Sequence, residues 1–65
     1  MFNKELFNDL IEKKNVTQLE VAAALGVSGP FVNYLRKGYK EPSFALAKRI
    51  ADYFGVSMDD LVKDE

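Results

Sequence analysis

Apolar residues recur along this chain at spacings of three and four positions, with polar residues between them. Such spacing is typical of helices that bury one face against a core. The first segment carries Leu6, Phe7, Leu10 and Ile11, the third carries Val32 and Leu35, and the fourth carries Leu46, Ala47, Ile50, Ala51 and Phe54. The pattern predicts an all-α protein whose core is built from these residues.

Start and stop signals divide the chain into five short helices with no strand. Thr17 and Glu20 form a T-x-x-E capping box, and Val16 and Val21 flank it as a hydrophobic staple. Ser57 and Asp60 suggest a second capping box. The other predicted starts are Asn3, Ser28 with Pro30 in its first turn, and Ser43, and the predicted stops are Asn15, Gly26, Gly38 and Gly55.

The second and third predicted helices are joined by a very short turn, Leu25-Gly26-Val27-Ser28. A turn this short makes two helices cross steeply, at about 90–120°. Close crossing requires a small residue in the first helix and a residue that tolerates positive φ in the turn, and Ala22 and Gly26 stand at those places. The combination indicates a helix-turn-helix motif at about residues 17–37.

The composition limits the chemistry of this domain. The 65 residues allow one domain and include no cysteine and no histidine, so the usual zinc ligands and the common enzymatic bases are missing. Asp59 and Asp60 lack the spacing of a calcium-binding loop. No apolar run is long enough to span a membrane, and the start of the chain has no secretory pattern. We expect a compact, cytoplasmic, non-catalytic domain without metal or cofactor.

The charge is distributed unevenly along the chain. Nine basic and ten acidic residues give a net charge of −1. Residues 28–40 nevertheless contain three cations and no acid, whereas Asp59, Asp60, Asp64 and Glu65 gather at the other end. A DNA-binding protein needs to be basic on one face only. This polarity is compatible with a DNA-facing surface and an acidic back.

The stretch TQLEVAAALGVSGPFVNYLRKGYKEPS resembles the helix-turn-helix of the phage Cro/repressor, or xenobiotic-response-element, family. The similarity continues through SFALAKRIADYFGVSMDDL and covers roughly residues 5–62. It implies a compact five-helix, lambda-repressor-like domain over residues 1–65, with the motif at helices 2 and 3. Members usually bind operator DNA as two-fold symmetric dimers, with the second motif helix in the major groove.

The resemblance also implies which residues face DNA. They are Thr17, Gln18, Ser28, Gly29, Pro30, Asn33, Tyr34, Lys37 and Lys40. Gln18 matches a family glutamine that contacts a phosphate and supports the recognition helix, and the helix start beside Thr17 faces the same DNA backbone. Asn33 is the one residue of this set whose side-chain amide can form a strong bidentate pair with a base, namely adenine.

The remaining positions have narrower roles under the same resemblance. Ser28 and Tyr34 can hydrogen-bond to bases or phosphates, and Pro30 offers only apolar contact, for example to thymine methyl groups. Lys37, Lys40 and the backbone of Gly38 and Tyr39 lie where the family binds phosphate after the recognition helix.

The sequence departs from the family pattern in two places besides its overall acidity. Gly29 and Pro30 replace polar readers such as glutamine, so direct readout is expected to be sparse. The family's common pair of an arginine in the first helix and a glutamate late in the recognition helix is replaced by Ile11 and Arg36. We therefore expect Arg36 to be free for a phosphate or a partner protein. Phe31 stays open between a core position, a DNA-facing position and a protein contact.

Two functions from different classes follow. The first is a sequence-specific DNA-binding transcriptional regulator, acting as a homodimer on operator DNA. The second is a protein-interaction module on the same fold, such as an anti-repressor or an antitoxin, for which Gly29, Pro30 and Phe31 would supply an apolar contact. DNA binding falls steeply with added salt, whereas a hydrophobic contact does not, so salt dependence separates the two.

Overall fold

The computed structural model describes residues 1–62, so Asp64 and Glu65 of the predicted acidic end lie outside the described residues. It contains five α-helices: α1 Lys4–Lys14, α2 Gln18–Leu25, α3 Gly29–Lys37, α4 Phe44–Phe54 and α5 Met58–Leu61. Within residues 1–62 the sole extended pairing is an isolated antiparallel bridge between Phe2 and Val62. The predicted five-helix, all-α class is confirmed.

The predicted start and stop residues cap the two ends of α1, α2, α3 and α4, as expected. Asn3, Thr17, Ser28 and Ser43 each accept a hydrogen bond from the backbone amide three residues further on. The stops Asn15, Gly26, Gly38 and Gly55 all have positive φ. Because side chains satisfy amides that a helix start leaves unpaired, these residues fix where each helix begins.

The start of α5 differs from its prediction. The Ser57 hydroxyl accepts from the amide of Asp59 at 3.1 Å, and the amide of Asp60 donates to the Ser57 carbonyl instead. The predicted Ser57–Asp60 capping box is therefore wrong. An aspartate side chain is one methylene shorter than the glutamate that completes such a box, and α5 has only four residues.

One apolar core holds the helices together. Its fully buried side chains are Phe7, Val21, Leu25, Val32, Leu35, Ile50 and Leu61. Phe54, predicted for the buried face of α4, is half-buried and forms a T-shaped contact with the Phe7 ring at a centroid distance of 6.0 Å. Phe2, which the periodicity did not reveal, is 7% exposed and also packs against Phe7, at a centroid distance of 5.3 Å. Phe2 and Phe54 thus both pack against the buried ring of Phe7.

Phe31 was the residue that sequence left open. It is half-buried and packs against the core cluster. It therefore anchors the first turn of α3 to the core, while part of its side chain stays accessible.

Candidate nucleic-acid interface

The start of α2 is built as the sequence predicted. The backbone amide of Thr17 donates to Glu20 Oε1 at 2.7 Å, and the amide of Glu20 donates to Thr17 Oγ1 at 3.1 Å. The amides of the next two residues, Gln18 and Leu19, have no carbonyl to bond within the helix. The partial positive charge at this helix start is a favourable environment for an anion.

The turn between α2 and α3 is held by backbone and by one distant side chain. Gly26 has φ +73°, and the amide of Val27 donates to the carbonyl of Ala22 at 3.0 Å. Arg49, from α4, donates from Nη1 to the Leu25 carbonyl at 3.2 Å. The guanidinium group of Arg49 therefore also lies at the carboxyl end of α2, where the helix dipole is negative. Sequence reasoning missed this contact because the two residues are far apart in the chain.

The α3 helix has a buried face and an exposed face. Val32 and Leu35 are completely buried, so the opposite side of the helix is turned outward. That side carries Pro30, Asn33, Tyr34 and Lys37, at i, i+3, i+4 and i+7, of which Asn33 is half-buried and the other three are exposed. Four of the predicted DNA contacts therefore share one face of one helix.

Gln18 links the two helices of the motif. Its Nε2 donates to the carbonyl of Gly29 at 3.1 Å, so its side chain supports the first turn of α3. A Cβ atom on Gly29 would lie 3.2 Å from Cδ2 of Leu19, so a larger residue there would require the leucine side chain to shift by a few tenths of an ångström. Leu19 itself is 74% exposed. This leucine is an apolar group beside the predicted reading face that the sequence did not single out.

The first turn of α3 has few free donors. The hydroxyl of Ser28 accepts from the amide of Phe31 at 3.2 Å, and Pro30 has no amide hydrogen to donate. Hydrogen bonding from this end of α3 therefore depends on the Ser28 hydroxyl proton and on the Gly29 amide.

The end of α3 contradicts one expectation about phosphate binding. The amide of Gly38 donates to the Leu35 carbonyl at 3.2 Å, and the amide of Tyr39 donates to the Tyr34 carbonyl at 2.9 Å. Both amides are used to close the helix, as is usual at a glycine C-cap. The expected backbone contact of Gly38 and Tyr39 with phosphate is therefore wrong, and side chains must supply the donors here.

Two tyrosines and a lysine cluster at this end of α3. The rings of Tyr34 and Tyr39 are 6.3 Å apart, and Lys37 Nζ lies 5.9 Å from the centre of the Tyr39 ring. Tyr39 is 73% exposed. The cluster gives the exposed face of α3 an aromatic and cationic end, with Lys40 exposed just beyond it.

Comparison with known proteins decides the family. The family model for this kind of helix-turn-helix, the Cro/C1 type, matches residues 8–61. The chain belongs to the Cro/C1-type helix-turn-helix family. Over 47 residues it is 43% identical to an uncharacterized HTH-type transcriptional regulator of Methanocaldococcus jannaschii, and the match covers 72% of this chain and 71% of the relative.

A solved structure agrees with this assignment. The crystal structure of a transcriptional regulator from Listeria innocua superposes with a TM-score of 0.85 at 26% identity. The superposition covers 95% of this chain and 61% of the Listeria chain, so this Cro/C1-type domain spans about three-fifths of that protein's length. As a member of this family the chain is a helix-turn-helix transcriptional regulator of DNA-binding type.

This Cro/C1-type chain replaces the family's arginine–glutamate pair with a different connection. Arg36 Nε donates to Asn8 Oδ1 at 2.6 Å, and Asn8 Nδ2 donates back to the Arg36 carbonyl at 3.1 Å. Arg36 Nη1 also lies 3.5 Å from Gln18 Oε1. The expectation of a free Arg36 is therefore wrong. Asn8 can hydrogen-bond to Arg36 because it lies on the side of α1 that faces α3. The sequence alone does not show that these two residues are close in space.

The rest of the described chain adds little other chemistry. Within residues 1–62 no three acidic side chains come close enough together to hold a metal ion. No helix of that range is long and apolar enough to cross a bilayer.

Proposed function

We propose that this chain is a sequence-specific operator-binding regulator that inserts α3 into the DNA major groove as a homodimer. The observation that carries the proposal is the outward face of α3, formed by Pro30, Asn33, Tyr34 and Lys37 opposite the buried Val32 and Leu35. An α-helix fits the major groove, where base edges present a distinct pattern for each base pair. The face combines a base-reading amide with a cationic end.

The other predicted contacts have positions compatible with a DNA backbone on either side of the groove. At one side lies the start of α2, with its unpaired first-turn amides and Thr17. At the other side lie Lys37 and Lys40 beyond the end of α3. Gln18 is already bonded to Gly29, so we assign it the supporting role first and phosphate contact second.

Dimerisation follows from how little of the reading face can discriminate between bases. Gly29 and Pro30 provide no side-chain hydrogen bonds, which leaves Asn33 as the main reader with Tyr34 and Ser28 beside it. One domain with so few readers gives weak specificity, and a two-fold dimer doubles them. We expect recognition helices about 34 Å apart, one helical turn of DNA, and hence a pseudo-palindromic site.

The mechanism that needs the fewest assumptions is steric. A dimer seated on an operator blocks access of RNA polymerase to the same DNA. This role requires no enzymatic activity and no cofactor, and it places the protein in the cytoplasm with the DNA. Residues 1–65 would act in it as one helix-turn-helix domain.

The test is selection from a random duplex library at low salt, followed by titration of the selected site over a range of salt concentrations. We expect a pseudo-palindromic site, two protein chains per duplex by sedimentation, and a salt slope of several units. Lys37→Ala and Lys40→Ala should each weaken binding to all sequences and reduce the slope by about one. Absence of any sequence preference, with a flat salt response, would refute the proposal.

A protein-interaction module is the second candidate, and one observation favours it. Leu19 is 74% exposed beside Gly29, so the start of the proposed reading face is more apolar than a DNA interface needs. Phe31, the residue first considered for this contact, is held against the core instead. Binding of a repressor or toxin partner that Leu19→Ala weakens and that salt leaves unchanged would support this candidate over the first.

A further inference from the structure

The phosphate-binding end of α3 contains fewer donors than the family resemblance implied. The amides of Gly38 and Tyr39 are both used within the helix end, and Arg36 is held by Asn8. Lys37 and Lys40 are the cations of this segment that remain exposed. A third cation reaches the same place from a distant part of the chain.

Lys4, the first residue of α1, lies across Gly38. A Cβ atom built on Gly38 would be 3.0 Å from both Cδ and Nζ of Lys4 and 3.6 Å from its Cε. The stem of Lys4 therefore runs over the glycine, and its ammonium group sits at the end of α3. The side chain is exposed, so this ammonium group is open to solvent at the point where Lys37 and Lys40 flank Gly38.

We infer that Lys4 is a third phosphate-binding cation of the interface, acting with Lys37 and Lys40 on the DNA backbone at the end of α3. The inference rests on the proposed function. Gly38 has a part in it, because a Cβ atom there would lie 3.0 Å from Cδ and Nζ of Lys4 and would require that side chain to shift by a few tenths of an ångström. Glycine at this position accommodates the positive φ of +81° and leaves the stem of Lys4 in place without that shift.

A purely structural role for Lys4 makes a different prediction. A cation near the carboxyl end of a helix stabilises that helix, and two acids, Glu5 and Glu41, line the same surface cleft as Lys4. If Lys4 only balances the end of α3 or these carboxylates, removing its charge changes stability and leaves the salt dependence of DNA binding as it was. Phosphate contact instead lowers the salt slope, because each neutralised phosphate releases counterions.

The experiment compares Lys4→Gln, Lys4→Arg and Lys13→Gln with the unaltered chain on one non-specific DNA duplex. Lys13 is an exposed lysine on the same helix, about 14 Å further along at 1.5 Å per residue. Both glutamine variants change the net charge equally. Thermal unfolding of each variant, followed by circular dichroism, establishes that it is folded at the temperature of the titration.

We expect Lys4→Gln to reduce the salt slope by about 0.9 and to weaken binding on the order of tenfold at 50 mM salt. Lys4→Arg should keep the slope, and Lys13→Gln should change it much less than Lys4→Gln does. Equal slopes for Lys4→Gln and the unaltered chain, or equal reductions for the two glutamine variants, would overturn the inference. If the unaltered chain itself shows no salt-dependent binding, the proposed function fails, which is a separate result.

Discussion

Replacing Asn8 by alanine removes both hydrogen bonds that join α1 to the last turn of α3. One of them is a charge-assisted bond of 2.6 Å from Arg36 Nε, and the other, at 3.1 Å, runs from Asn8 Nδ2 to the Arg36 carbonyl. Both residues are half-buried, so water replaces these bonds only in part. The substitution therefore leaves a guanidinium with one weak partner, Gln18 at 3.5 Å.

The magnitude follows from three contributions. A hydrogen bond to a charged group contributes about 1.5–3 kcal/mol and a neutral one about 0.5–1.5 kcal/mol, with the lower values applying to half-buried groups. Alanine is a better helix former than asparagine by roughly 0.6 kcal/mol, which opposes the loss. We expect a net destabilisation of about 1–2 kcal/mol, and in a domain this small each kcal/mol lowers Tm by about 4–8 °C.

The assay is urea unfolding followed by far-ultraviolet circular dichroism, since the chain has no tryptophan. Asp9→Ala is the matched control, because Asp9 is the next residue of α1, is exposed and has a similar helix propensity. Its free energy of unfolding should rise by roughly 0.6 kcal/mol, because only the gain in helix propensity applies there. If Asn8→Ala is as stable as Asp9→Ala, the Asn8–Arg36 connection contributes nothing and the reasoning is refuted.

Three further predictions concern the motif and the glycines that end helices. Asn33→Ala should reduce base preference at one position of the selected site by about 1–3 kcal/mol, with little change in the salt slope of binding. Competition between point-mutated duplexes measures this preference, and an unchanged preference would show that Asn33 does not contact a base. Thr17→Ala should cost about 1 kcal/mol of unfolding free energy by loss of the capping box, and a variant as stable as the parent in urea would count against that. Gly26→Ala and Gly55→Ala should each lower the free energy of unfolding by about 1–2 kcal/mol from positive φ alone, because the added Cβ meets only Arg49 Nη1, at 3.5 Å, at Gly26 and nothing within 4 Å at Gly55. A much larger loss for Gly26→Ala in thermal unfolding would show that the turn is packed more tightly than described.

Local signals determined the helices of this protein. A capping residue, a staple or a glycine acts on the backbone within a few residues, so its effect can be read from neighbouring letters. The starts at Asn3, Thr17, Ser28 and Ser43 and the stops at Asn15, Gly26, Gly38 and Gly55 were all predicted in this way. The one failure, the Ser57–Asp60 box, lay in the shortest helix, where a single turn leaves the cap with little support.

The family and the outward face of α3 could also be predicted from the sequence. The short turn with Ala22 and Gly26 indicated the crossing of α2 and α3, and the buried Val32 and Leu35 indicated which side of α3 faces outward. Periodicity along a helix carries this information because residues three and four apart share a face.

Contacts between residues far apart in the chain were decided only by the tertiary structure. Asn8 meets Arg36, Arg49 reaches Leu25, and Lys4 lies over Gly38. No local rule links the members of these pairs, because their distance depends on how α1 and α4 pack against the motif. The helices of this chain were thus determined by its local sequence, while the contacts of Arg36, Arg49 and Lys4 depended on the packing of one helix against another.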